Sequence, residues 1–285
     1  MKKSSIDIIR DYKDKYPQLC HASNILKKYD DRQKTTQLML IADKYVVYLI
    51  ENFKLVGYTD AIIKERVRLL NDYYNFIHNN DLDNLYSSQG KFRPTILEEF
   101  LFLLFKDFVE HYQNALNATD QLESGSVKAY SNLYFKAKSF SEFVSNPDIA
   151  VNEKDQDFAI YRKFVLTVNE TKTINLQVPA IAIEAKTFID KTMLDGIIAT
   201  AEKVKSGNPY SMFVSVAETY DVAFGVDPAY SRIDQIYVLR KTTRKSAWAN
   251  VDADVVLRMF REIKAHLERP WSDVRSRLDQ EGVII

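Results

Sequence analysis

Apolar residues recur at helical spacing through the first third of the chain. Ile6, Ile8 and Ile9 begin a first helix, and from Thr36 to Phe53 the residues Leu38, Ile41, Ala42, Tyr45, Val46, Leu49 and Ile50 mark one face of another. After Gly57, Thr59 stands where an N-cap belongs, ahead of Ile62, Val67, Leu70, Tyr74 and Ile77. A run rich in Asn, Asp and Ser from Asn79 to Gly90 reads as a loop and a boundary. Beyond it, Lys91 to Thr95 lead into a strongly apolar helix that reaches about Leu116. Its residues Leu97, Phe100, Leu101, Leu104 and Phe108 share a face, and Leu103 and Phe105 widen it, so it packs on more than one side.

The texture changes near residue 150. Phe158 to Leu166 and Thr173 to Val178 read as strands joined by a polar turn at Asn169 to Lys172, and Val178 to Lys186 continues as a β-type run. A helix from Thr192 to Lys205, strands at Ser211 to Ala217 and Ile233 to Leu239, and an amphipathic helix from Val251 to Leu267 complete the pattern. This order predicts an α/β fold, a mixed central β-sheet flanked by helices, preceded by an N-terminal helical region. Residues 1–90 form that helical region and 91–285 a second domain.

Composition removes several classes. Hydrophobic residues make up 46% of 285, too many for a disordered chain. The single cysteine, Cys20, excludes an internal disulfide and a cysteine-rich zinc site, and the four histidines are scattered. No apolar run is long enough for a membrane span, and Met1 to Gln18 does not read as a signal peptide, so a cytoplasmic protein is expected. Neither G-x-G-x-x-G nor a P-loop occurs. Thirty-nine basic residues balance thirty-nine acidic ones. That balance argues against a large nonspecific attraction to nucleic acid, but it is silent about distribution.

The chemistry concentrates in Ile181-Ala-Ile-Glu-Ala-Lys186. Alternation along a strand puts Glu184 and Lys186 on one face, roughly 7 Å apart, and a hairpin return can bring Asp157 beside Glu184. Two carboxylates and an ammonium suit metal-dependent phosphodiester hydrolysis: the acids hold Mg²⁺ and the lysine orients water or stabilises the transition state. A lone E-x-K more often means a solvated ion pair. Here the apolar strand before it, the upstream Asp157 and the acid-bearing helix Leu97-Glu98-Glu99-Phe100 strengthen the case.

In order, the helix with Leu97-Glu-Glu-Phe-Leu, then Lys154-Asp-Gln-Asp-Phe-Ala-Ile, then Ile181-Ala-Ile-Glu-Ala-Lys-Thr-Phe-Ile-Asp-Lys-Thr-Met-Leu-Asp195 resembles the PD-(D/E)xK nucleases. More narrowly it resembles Type II restriction endonucleases of the heterodimeric BbvCI kind, over residues 91–245; the first 90 residues match only in being helical. The resemblance implies a PD-(D/E)xK nuclease core and a Mg²⁺-dependent, site-specific deoxyribonuclease of a restriction-modification system. It implies double-stranded DNA and a second, different subunit as partners, each subunit cutting one strand of a short asymmetric site. Glu184 and Lys186 become the E and K of the motif, Asp157 its D, and Glu98 the helix glutamate, with Asp157 and Glu184 holding the metal. Gln156 stands where the family name has Pro; the literal Pro147-Asp148 reads as a turn. Asp155 rivals Asp157, and Glu99 rivals Glu98, although Glu98 is the one placed nearer the apolar stripe.

Arg240, Lys241, Arg244 and Lys245 fall within six residues that also hold two threonines, a composition suited to phosphate contacts. From Arg232 to Arg277, eleven basic residues outnumber six acidic ones, so charge is partly segregated from the proposed metal acids. Trp248 and Trp271 read as packing anchors. Two other readings stand beside the heterodimeric enzyme. One is a homodimeric restriction enzyme or repair nuclease of the same fold, and the other a non-catalytic DNA-binding protein.

Overall fold

A computed structural model describes residues 3–31, 35–82, 92–115, 122–168, 172–269, 271, 274–280 and 282. Four helices come first: α1 (Ser5–Lys15), α2 (Cys20–Asp30), α3 (Thr36–Lys54) and α4 (Asp60–Asn79). Thr59 does cap α4, its hydroxyl accepting the Ile62 amide. Helix α2 was not foreseen; it is short and lacks a side-chain cap of its own. The boundary expected at residues 90 and 91 lies outside the described residues, as does most of the polar stretch before it.

Helix α5 (Pro94–Ala115) begins with proline, whose fixed φ and missing N–H suit a first turn. It is buried on nearly all sides along Thr95 to Phe105. Its one face meets the sheet, through Phe105 stacked on Phe158, and the other meets the N-terminal helices. A single core cluster therefore runs from Ile6 through α5 to Ile183 and Val216. A buried ion pair crosses it: Arg66 of α4 donates to Asp107 of α5 at 2.8 Å and to the carbonyls of Asn52 and Leu55. With its charge paired and both terminal nitrogens donating, the guanidinium tolerates burial.

Among the described residues the sheet has five strands in sequence order: β1 (Leu122–Lys136), β2 (Asp148–Val168), β3 (Lys172–Ile189), β4 (Met212–Tyr220) and β5 (Gln235–Val238). The first three are antiparallel and the last three parallel, so the sheet is mixed as expected. A short helix, α6 (Phe140–Ser145), joins β1 to β2. Helix α7 (Lys191–Gly207) connects β3 to β4 and covers the face of Ala182, Phe213 and Ala217. Helix α8 (Ala253–Glu268) joins α5 on the other face, and α9 (Val274–Gln280) is the last helix among the described residues.

The pattern of the chain missed β1 and underestimated β2. Glycine 125 and two register shifts break the alternation of β1, so it carries little period-two signal. Strand β2 starts ten residues earlier than Phe158, because its first half pairs only with β1. One β1 shift centres on Ser131, whose hydroxyl donates to the Lys203 carbonyl of α7. There the strand backbone lies against Gly207, where an added Cβ would stand 2.3 Å from the Ser131 carbonyl oxygen. Gly207→Ala should lower stability by about 1–3 kcal/mol, because backbone cannot yield as a side-chain tip can. Denaturant unfolding measures it, and an unchanged midpoint would show that α7 can part from β1 freely.

Candidate active site

Register fixes the site. Phe158 pairs with Ile183, which sets Asp157 opposite Glu184 on the neighbouring strand. On the β1 side, Gly125 pairs with Ala159 but Val127 with Gln156, so β2 carries an extra residue at Asp157–Phe158. This bulge turns the aspartate toward β3. Its Oδ2 accepts the Ala185 amide at 2.9 Å and the Lys186 ammonium at 2.9 Å. Lys186 Nζ also donates to Glu184 Oε2 at 2.8 Å. Asp157, Glu184 and Lys186 are thus assembled as one cluster. The rival Asp155 lies exposed on the β1-paired half of β2. Asp148 sits at the start of the strand, nine residues and roughly 30 Å of extended chain from Asp157, paired with Lys172.

Burial shapes the electrostatics. The strand Ile181 to Ala185 is buried on both faces, and solvent access returns only at Lys186. Burial, and then the adjacent Asp157 charge, hold the Glu184 carboxyl above the usual range, although Lys186 opposes them. Burial works against the Lys186 ammonium, but the two carboxylates outweigh it and hold its pKa above the ordinary value. On β4, beside Glu184 and Lys186, stand the small residues Ser215 and Ala217. Ser215 is fully buried, and its hydroxyl reaches the Glu184 carbonyl. A serine inside the otherwise apolar run Met212 to Val216 was the visible sign of this position.

The two α5 acids exchange places relative to expectation. Glu99, and not Glu98, is the buried one, at 1% exposure. Its carboxylate accepts the amides of His21 and Ala22 at the start of α2, at 2.9 and 3.1 Å, and the Tyr45 hydroxyl at 2.7 Å. The uncapped N-terminus of α2 supplies donors that the sequence pattern of α5 could not reveal. Glu98 is partly exposed, and no group of three or more His, Cys, Asp or Glu side chains converges for a metal among the described residues. The structure therefore does not join Glu98 to the Asp157–Glu184 pair.

The basic segment splits in two. Arg240 is buried at 5% exposure; its Nε donates to Glu218 at 2.9 Å, Nη1 donates to the Ala249 carbonyl, and the guanidinium lies 4.0 Å from the Trp248 ring. Expected to touch phosphate, Arg240 instead braces the loop, because Glu218 of β4 offers a buried countercharge. The same glutamate accepts Arg93 at 3.0 Å. Lys241 and Arg244 are exposed, beside Asp252 and Asp221 respectively, and Lys245 is exposed too. Arg244 also lies 4.1 Å over Phe188, two residues beyond Lys186.

The family model of the Bpu10I restriction endonuclease matches residues 89–250, more than half of the chain. The chain belongs to the Bpu10I restriction endonuclease family. As a member it is a Type II site-specific deoxyribonuclease, and the cluster at Glu184 lies inside the matched span. Among solved structures, one titled "native BbvCI A2B2 tetramer at low resolution" is similar in fold, with a TM-score of 0.68 and 22% identity over 88% of this chain and 95% of that one. No curated protein matches the chain. A likeness over 88% of the chain reaches beyond residues 91–245, to which the sequence resemblance is confined.

Glu99 yields a pH prediction. Burial pushes its carboxyl up to about 7, against 4.5 for the free group. With the folded value raised, its contribution is fully present below about pH 4.5 and is lost as pH rises through 7. A Glu99→Gln variant has no such loss. Its stability relative to the parent should rise by about 2–3 kcal/mol between pH 5 and pH 8. Urea unfolding at several pH values measures this difference, and a difference independent of pH would refute it.

Proposed function

We propose that this endonuclease hydrolyses one DNA phosphodiester per active site, with Asp157 and Glu184 as metal ligands and Lys186 as the assisting cation. The observation that carries the reading is the single ammonium donating to two carboxylates where β3 emerges from the core. This is the acid, E-x-K arrangement of a PD-(D/E)xK nuclease. The donor set fits a hard divalent cation such as Mg²⁺, which takes one or two carboxylates and keeps its waters. The raised Glu184 carboxyl fits as well, since a cation would relieve a buried, crowded anion. Such an ion, when bound, lowers the pKa of a water and neutralises phosphate charge.

The remaining tasks fall to the chain. Asp157 is held by the Ala185 amide, so its carboxylate cannot swing away from the strand end. Lys186 stays charged and lies within reach of a water attacking in line. Of the two α5 acids only Glu98 is left for a supporting role, from outside the Asp157–Glu184–Lys186 cluster, because Glu99 is committed to capping α2. Lys241, Arg244 and Lys245 contact DNA phosphates, with Arg240 holding their segment in place. Residues 91–285 form the catalytic domain, and the helices before them serve DNA recognition or subunit contact.

The protein acts as one subunit of a heterodimer on a short asymmetric site, each subunit cutting one strand. The A2B2 description of the structural neighbour supports an assembly of two kinds of chain. Paired with an intact second subunit, Asp157→Ala or Glu184→Ala should lower cutting of its strand by roughly 100-fold or more, leaving a nicking enzyme. Lys186→Met should cost roughly 100- to 10,000-fold on the same strand. Plasmid relaxation without linearisation is the expected result. Full double-strand cleavage by these variants would remove the three residues from the chemistry. Efficient double-strand cleavage by the lone chain would favour a homodimer.

A further inference from the structure

One face of α4 grips the segment that follows the basic loop. Asn71 Nδ2 donates to the Val251 carbonyl at 2.9 Å, and its Oδ1 accepts the Val251 amide at 2.8 Å. One turn on, Asn75 accepts from Trp248 Nε1 at 2.7 Å and donates to Asn250 Oδ1 at 3.0 Å. His78 stacks on Trp248, with ring centres 4.1 Å apart and planes within 4°. Spacings of four and three residues put Asn71, Asn75 and His78 in one row on the helix. Both asparagines use donor and acceptor together, so each fixes position and orientation.

The held loop forms one wall of a cleft of about 380 Å³. Thr187, Phe188 and Thr219 form the other wall, where β3 and β4 end, and Thr187 directly follows Lys186. Thr242, Thr243, Arg244 and Ser246 line it from the loop. Among the described residues, three guanidiniums here, Arg93, Arg240 and Arg244, face two carboxylates, Glu218 and Asp221. A residual positive charge surrounded by hydroxyls suits a backbone phosphodiester rather than a base edge. A free loop would lose conformational freedom on being ordered by DNA, so fixing it beforehand strengthens binding.

We propose that α4 is a positioning element for DNA contact. Asn71, Asn75 and His78 set residues 248–251, and through them the cleft in which Arg244 and the loop hydroxyls receive a phosphodiester neighbouring the one cut. This rests on the nuclease reading above and assigns a task to the N-terminal helices within it.

The test is fluorescence anisotropy of the full chain with a labelled duplex of random sequence, in Ca²⁺ and at a series of salt concentrations. Arg244→Ala should weaken binding and lower the slope of log K against log salt by about 1. Asn71→Ala with Asn75→Ala, both neutral changes, should weaken binding by roughly 10-fold, and adding Arg244→Ala to them should then change little. A merely structural role for the asparagines would leave the Arg244 effect intact. Thermal melting checks folding, and His78→Ala alone replaces the pair if the pair fails to fold. Unchanged affinity, or an undiminished Arg244 effect, overturns the positioning role while parent binding upholds the nuclease reading. Absence of binding by the parent chain overturns the phosphate cleft, while strand cutting by the chain with its second subunit tests the nuclease reading separately.

Discussion

Two carboxylates on neighbouring strands repel, and the Lys186 ammonium is what lets Asp157 and Glu184 face each other at the edge of the core. The contact needs the pairing of Phe158 with Ile183, the bulge at Asp157, and a strand that stays buried until Ala185. Each requirement is met by packing rather than by the polar groups themselves. Phe158, Ile160, Ile181 and Ile183 anchor the register on α5, and Ala182 packs under α7 on the other face. The apolar layers thus decide where three charges meet.

The same principle recurs wherever a charge lies inside this molecule. Arg66 is paired with Asp107, Glu218 lies between two arginines, and Glu99 takes three donors. Each joins elements distant in sequence: helix to helix, strand to loop, helix to helix terminus. Because a buried group left without its partner costs several kcal/mol, these contacts discriminate strongly against displaced packing. They make the helical region, the sheet and the basic loop one mechanical body at the positions where they touch.

Much of this is legible in the sequence. The periods of 3.6 and 2 located α3, α4, α5, α7, β3 and β4, and the spacing of Asp157, Glu184 and Lys186 gave a cluster that the fold does assemble. What escaped was whatever depends on a partner remote in sequence. Glu99 read as lying further from the apolar stripe than Glu98 until the α2 terminus, itself without a cap signal, supplied its donors. Arg240 looked like its neighbours in a basic run until Glu218, twenty-two residues away, drew it inside. Asn71 and Asn75 sat on an ordinary polar helix face with nothing to mark them.

The division of β2 between its neighbours bears on how length changes would be tolerated. Before Gln156 it pairs with β1 alone, and past Arg162 with β3 alone; only a few residues between are held on both sides. An extra residue in the first half can be taken up as another bulge, since that ribbon already contains one. The same residue added between Phe158 and Ile160, ahead of the register shift that β3 already makes at Ile160 and Tyr161, has no free edge to escape to. It would reverse which side chains point inward and carry Asp157 away from Glu184. Homologous chains should therefore vary in length on either flank of this short stretch and keep it constant within.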